Sequence, residues 1–277
     1  MSDAVATRRR RRVPVLAIAG GAVVLFWIAM SIAGPFLAPH DMGDIVDTDV
    51  FGGLSRQFPL GTDYLGRDML SRILFGARYT VGIALAATAI ASLSGVMLGS
   101  CAAIWGGAID SLLSRMLDAL VSIPSKLFAL VVVAAFGSSI PVLILTAGVI
   151  YTPGCYRIAR ALAVGVNTQD FVTVARARGE GTWFIMREEL LPNMTGPILA
   201  DFGTRFVFIV LLLSGLSFLG LGVQPPAADW GALVRENMDG LWDGAPAVLT
   251  PALAIATLTI GVNILIDNLP GRHRRHA

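Results

Sequence analysis

Lysine occurs once in this 277-residue chain, histidine three times and cysteine twice. Each scarcity excludes a class of chemistry. Cys101 and Cys155 both lie inside apolar runs, which leaves no disulfide framework and no cysteine-rich metal site. His40, His273 and His276 all fall outside the apolar runs, which removes most hydrolase, metalloprotease and haem readings. The lone lysine, Lys126, is not part of a GxxxxGK[ST] string, and no such string occurs. Energy from nucleotide therefore has to come from another polypeptide. Charged residues are also few, at 14%, against about 25% in a soluble domain. What is abundant is apolar: 55% of residues are hydrophobic and the mean hydropathy is +0.71. A soluble fold of this length cannot enclose that much apolar surface, so the excess faces lipid. No basic face exists away from the ends of the apolar runs, which argues against nucleic acid as a partner.

Six runs approach the roughly 20 apolar residues with which a helix crosses a bilayer: 14–32, 80–104, 120–136, 141–163, 198–221 and 247–266. The chain reads as an all-α membrane protein with six transmembrane helices. Pro124 and Lys126 interrupt the start of the third run. Sixteen of the 21 basic residues, Arg8 to Arg12 among them, fall on the side of the N-terminus. The positive-inside rule then places both termini in the cytoplasm. The apolar run after Arg12 exceeds the 7–15-residue core of a signal peptide, so it reads as a retained anchor. The expected division is a basic N-terminus with span one (1–38), an extracytoplasmic loop (39–79), a five-span core (80–269) and a cytoplasmic tail (270–277).

Two outside segments are too long for simple turns. Residues 34–79 carry Asp41, Asp44, Asp47, Asp49, Asp63 and Asp68, and residues 222–244 carry Trp230 and Trp242. They read either as a solvated acidic surface with aromatic headgroup anchors or as a docking surface for an extracytoplasmic partner. Asp201 and Arg205, four residues apart, read as a structural pair. Asp110, Arg115 and Asp118 read as pairing on the inside face. Ser214 and Ser217, with no histidine or lysine near them in sequence, read as helix–helix hydrogen bonding rather than a nucleophile.

The longest inside loop, 164–197, reads as two short helices around Gly179-Glu180-Gly181. Asp170 or Thr168 caps the first, and Gly179 ends it in the left-handed conformation. Phe171, Val174 and Ala175 then form an apolar stripe. Thr182 caps the second, where Trp183, Met186 and Leu190 repeat the pattern beside Phe184 and Leu191, and Pro192 limits its continuation. Helices this short are marginal alone. Their stripes require a cover: the protein's own spans, lipid headgroups or a cytosolic protein. The mixture of Arg176, Arg178, Arg187, Glu188 and Glu189 argues against headgroups, which favour a basic face.

The string TVARARGEGTWFIMREELLP in this loop resembles the EAA motif of bacterial ABC importer permeases. Thr173 stands at the Glu position, Val174 and Ala175 at the two Ala positions, and Gly179, Leu191 and Pro192 are retained. PLGTDYLGRDMLSRILFGAR (59–78), GAIDSLLSRMLDALVSIPS (107–125) and GLSFLGLGVQPPAADWG (215–231) are similar to segments of the dipeptide, oligopeptide and nickel permeases, in the same order. The likeness is closest to the C-type subunit of the pair.

That resemblance implies a type I importer permease fold. It implies a homologous second permease subunit, two ATPase subunits that bind ATP and Mg, and an extracytoplasmic solute-binding protein that delivers a peptide or similar small solute. It gives this chain no cofactor and no catalytic residue, and sets it in the bacterial inner membrane. The residues it assigns to ATPase coupling are Phe171, Thr173, Val174, Ala175, Gly179, Trp183, Leu191 and Pro192. The rival reading is a self-sufficient secondary transporter or channel, which needs a mid-span ion relay; few acidic residues fall there.

Overall fold

The computed structural model describes residues 15–268. The Arg8–Arg12 run, the tail from 270 and both His273 and His276 lie outside the described residues. Within them the chain is helical: α1 (Val15–Leu37), α2 (Met69–Trp105), α3 (Gly107–Val121), α4 (Ser125–Phe136), α5 (Ile140–Asn167), α6 (Asp170–Ala177), α7 (Thr182–Phe184), α8 (Leu191–Phe218), α9 (Trp230–Glu236) and α10 (Pro246–Asp267). Five long apolar helices reach spanning length. Because α7, a π-helical turn at Ile185–Leu190 and α8 run together as Thr182–Phe218, that composite counts as one of the five.

The bent pair α3 and α4 makes a sixth element of spanning composition, turned by 81° at the break. The break falls at Pro124. Proline has no N–H to offer the preceding turn, and it disfavours the helical conformation of the residue before it, Ile123. At 12 residues, α4 is only about 18 Å long.

Helix α2 begins at Met69, eleven residues ahead of the apolar run that announced it. The cause is local. Asp68 accepts hydrogen bonds from the Leu70 and Ser71 amides at 3.3 and 3.0 Å, satisfying two of the first-turn donors. Its 37 residues extend about 55 Å, well beyond a hydrocarbon core of about 30 Å. The surplus projects at the end of the bundle opposite the 164–197 loop. We call the two ends the cap end and the elbow end.

Parallel α2 and α5, whose contacts advance together from Ile90–Gly148 through Gly95–Cys155 to Ala103–Asn167, form the most intimate pair, and glycine makes the approach feasible. A Cβ on Gly95 would overlap Cys155 and lie 2.8 Å from the Tyr156 nitrogen. One on Gly99 would lie 2.7 Å from the Arg160 nitrogen. Small residues at such positions let helix backbones touch where lipid offers no hydrophobic drive. Gly95→Val should therefore cost about 1–3 kcal/mol through overpacking. A lower thermal midpoint in detergent than that of Gly82→Val, where a Cβ meets nothing within 4 Å, checks it.

Candidate functional site

At the elbow end, α6 stops in a Schellman arrangement. The Gly179 amide donates to Arg176 O at 2.9 Å and the Glu180 amide donates to Ala175 O at 3.2 Å. Gly179 has φ +82°, where a side chain is strained, although nothing lies within 4 Å of the Cβ position. The other local expectations need correcting. Gln169 and Gly181 are the N-cap residues, and neither helix receives a side-chain cap from Thr168, Asp170 or Thr182. Nor does Pro192 end the second helix. It occupies the first turn of α8, where a missing N–H is tolerated, directly after the π-helical turn.

The elbow has two apolar faces rather than one stripe. Val172 and Ala175 turn inward and pack with Ile185, Leu190 and Met194 against Ala159 and Ala163 of α5. Phe171, Val174 and Trp183 turn outward and are 41%, 56% and 63% exposed. Phe184 joins them at the surface. Of the residues singled out from the sequence, Phe171, Thr173, Val174, Gly179, Trp183 and Pro192 are exposed, Leu191 is half-buried, and Ala175 is buried. Arg176, Arg178, Arg187 and Glu188, on the same two limbs, are exposed as well. Exposed apolar side chains set among charged ones are the composition of a protein–protein contact.

Helix α3 is fastened to the elbow end of α5. Asp110 accepts from Arg160 Nε and Nη2, and Arg157 Nη2 donates to Asp118 at 2.6 Å. Ser114 and Tyr156 share a hydrogen bond at 2.9 Å. Inside the bundle, Arg205 Nε donates to Asp201 at 3.1 Å. The Arg205 guanidinium fills the space over Gly154 of α5. This is the expected structural pair.

The cap end departs furthest from expectation. Asp63 and Asp68 belong to no solvated surface; both are buried. Asp63 accepts from Arg67 Nε at 2.7 Å and Arg72 Nη1 at 2.6 Å, and Glu236 accepts from Arg72 Nη1 at 2.8 Å and Arg67 Nη2 at 3.2 Å. These four charges lock the long loop onto α9. Asp41, Asp44 and Asp49 remain at the surface.

Trp230 is not a headgroup anchor either. Its ring is fully buried, its Nε1 donates to Ile73 O at 3.0 Å, and Trp27 meets it edge-on with centroids 4.6 Å apart. Trp242, at 89% exposure, is free to anchor. Ser217 donates to the buried Asp229 carboxylate, which caps α9 through the Ala232 amide. Burial pushes the Asp229 carboxyl above its usual range, against those hydrogen bonds. Among the described residues no group of His, Cys, Asp and Glu is placed to hold a metal ion.

Comparison with known proteins bears on the whole arrangement. The family described as binding-protein-dependent transport system inner membrane component matches residues 95–275. The glutathione transport system permease protein GsiD of Pectobacterium atrosepticum is 31% identical over 92% of this chain and 85% of its own. The di/tripeptide transport system permease protein DppC of Pseudomonas aeruginosa is 30% identical over 91% and 86%. The dipeptide transport system permease protein DppC of Bacillus subtilis is 32% identical over 94% and 82%.

Proposed function

Since this chain belongs to the binding-protein-dependent transport system inner membrane components, a family of multi-pass, non-catalytic permease subunits of ABC importers, we propose that its outward elbow patch is the seat of an ATPase subunit. The importer then comprises this chain, a homologous second permease, two ATPases that bind ATP and Mg, and an extracytoplasmic binding protein. Its cargo is a peptide or a similar small solute, in keeping with the names of the relatives above. Both termini and residues 164–197 face the cytoplasm on this reading, and residues 39–79 face outward.

The observation that carries the proposal is the split elbow. A structural loop has no reason to present Phe171, Val174 and Trp183 to water once Val172, Ala175 and Leu190 have closed its own core. Gly179 makes the turn between the limbs, Leu191 and Pro192 begin α8 behind the second limb, and Thr173 lies exposed on α6 with the patch. When the ATPases close on nucleotide they push this patch, and the spans exchange inward and outward access.

Gly179→Val tests the reading. With open space around the position, the penalty comes from φ alone, about 1–2 kcal/mol for a side chain in the left-handed region. Insertion and yield should stay normal while binding-protein-dependent uptake per ATP hydrolysed falls several-fold. Unchanged uptake per ATP in proteoliposomes holding the whole importer would refute it.

A further inference from the structure

The elbow's two limbs are attached to different bodies. The second limb is continuous with α8 through the π-helical turn. The first limb, α6, is joined to α5 by only Thr168 and Gln169, a short backbone hinge. Across that hinge stands Asn167, the last residue of α5. Its Nδ2 donates to Ala103 O of α2 at 3.0 Å, and its Oδ1 accepts from Arg176 Nη2 of α6 at 2.6 Å. Ala103 O belongs to the last turn of α2, where carbonyls have no partner further along the helix. One amide therefore ties three elements.

We infer that Asn167 is a positioning residue for coupling. It makes α6 rigid with the α2/α5 pair, so that a push on the elbow turns that pair against α8. The inference rests on the reading that an ATPase seats on the elbow. Apolar contacts beneath α6, such as Val172 on Ala163, are non-directional and permit sliding. The Asn167 hydrogen bonds are directional and one is made to a charged arm, so they fix the register of α6. Gly95 and Gly99 already weld α2 to α5, so what reaches one reaches both. The π-helical turn on the other limb supplies the local irregularity at which α8 can change angle.

Asn167→Asp separates relay from mere structure. Aspartate still accepts from Arg176 but cannot donate to Ala103 O, and it sets a negative charge against the C-terminal end of α2. The whole importer, with its second permease, ATPases and binding protein, is placed in nanodiscs with Cys101→Ser and Cys155→Ala. Spin labels at Ile140→Cys and Leu219→Cys mark the cap ends of α5 and α8, both exposed.

In the parent complex, Mg-ATP with vanadate should shift the distance between the labels. Asn167→Asp and Asn167→Ala should shrink that shift at least about threefold while ATP hydrolysis per complex stays within about twofold. A shift of parental size in the Asn167 variants overturns the relay alone. A parent complex without bound ATPase, or with no vanadate-dependent shift, overturns the underlying reading as well.

Discussion

Asp63→Ala should destabilise the detergent-solubilised chain by about 3–5 kcal/mol, the scale of removing one partner from a buried ion pair. The carboxylate is fully buried and takes hydrogen bonds from Arg67 Nε, Arg72 Nη1 and the Leu65 and Arg67 amides. Its loss leaves two guanidinium groups facing Glu236 alone, with Arg72 1% exposed and far from compensating water. Packing cannot explain such a loss, since alanine leaves only a small void. The charge imbalance does, and a double-mutant cycle exposes it. Asp63→Ala combined with Arg72→Met should recover a large part of the penalty, because the second change removes the stranded cation. Thermal unfolding across the four proteins measures this. A single-variant cost below about 1 kcal/mol, as at a surface salt bridge, would show that the network is solvated and not a lock between the long loop and α9.

That network is also where sequence reasoning failed most clearly, and the reason is physical. Composition assigns aspartates in a polar loop to water, and nothing short of the fold brings Glu236 to Arg72. A fainter signal was present: Asp63 and Arg67 are four residues apart, the spacing of a local ion pair. The spans were legible because a bilayer demands about 20 apolar residues whatever the tertiary contacts. The early start of α2 was not, because Ser71, Arg72 and Arg78 break up the apolar residues of its first turns, and only the fold buries Arg72 there.

At the elbow, Gly179 was legible, since a left-handed helix end has one favoured residue. Which face of α6 points inward was not. Phe171, Val172, Val174 and Ala175 occupy two sides of an eight-residue helix, so periodicity cannot choose between them. The small residues of α5, Ala159 and Ala163, make the choice by leaving room for Val172 and Ala175. Pro192 misled because a π-helical turn, which has no sequence signature as plain as a proline's, carries the helix up to it.

Removing the outward patch should separate ATPase docking from folding. Trp183 and Phe171 are the most exposed aromatic side chains on that surface, with Phe184 beside them, and an aromatic anchor at the centre of an interface commonly carries about 2 kcal/mol or more. Trp183→Ala with Phe171→Ala should therefore weaken capture of the purified ATPase by the nanodisc-embedded permease pair by on the order of a thousandfold. Thermal stability of the permease should hardly change, because neither residue belongs to the core beneath the elbow. Leu190→Ala supplies the opposite case. Leu190 is fully buried among Val172, Ala175 and Met194, and its truncation should cost about 2–5 kcal/mol of stability with the aromatic patch still in place. If the double variant binds the ATPase as tightly as the parent, the outward patch is not the seat and the elbow's role as a docking element is lost. If it unfolds like Leu190→Ala, Phe171 and Trp183 are structural and their exposure has been misassigned. The outward patch is the docking element if the two losses fall on different measurements.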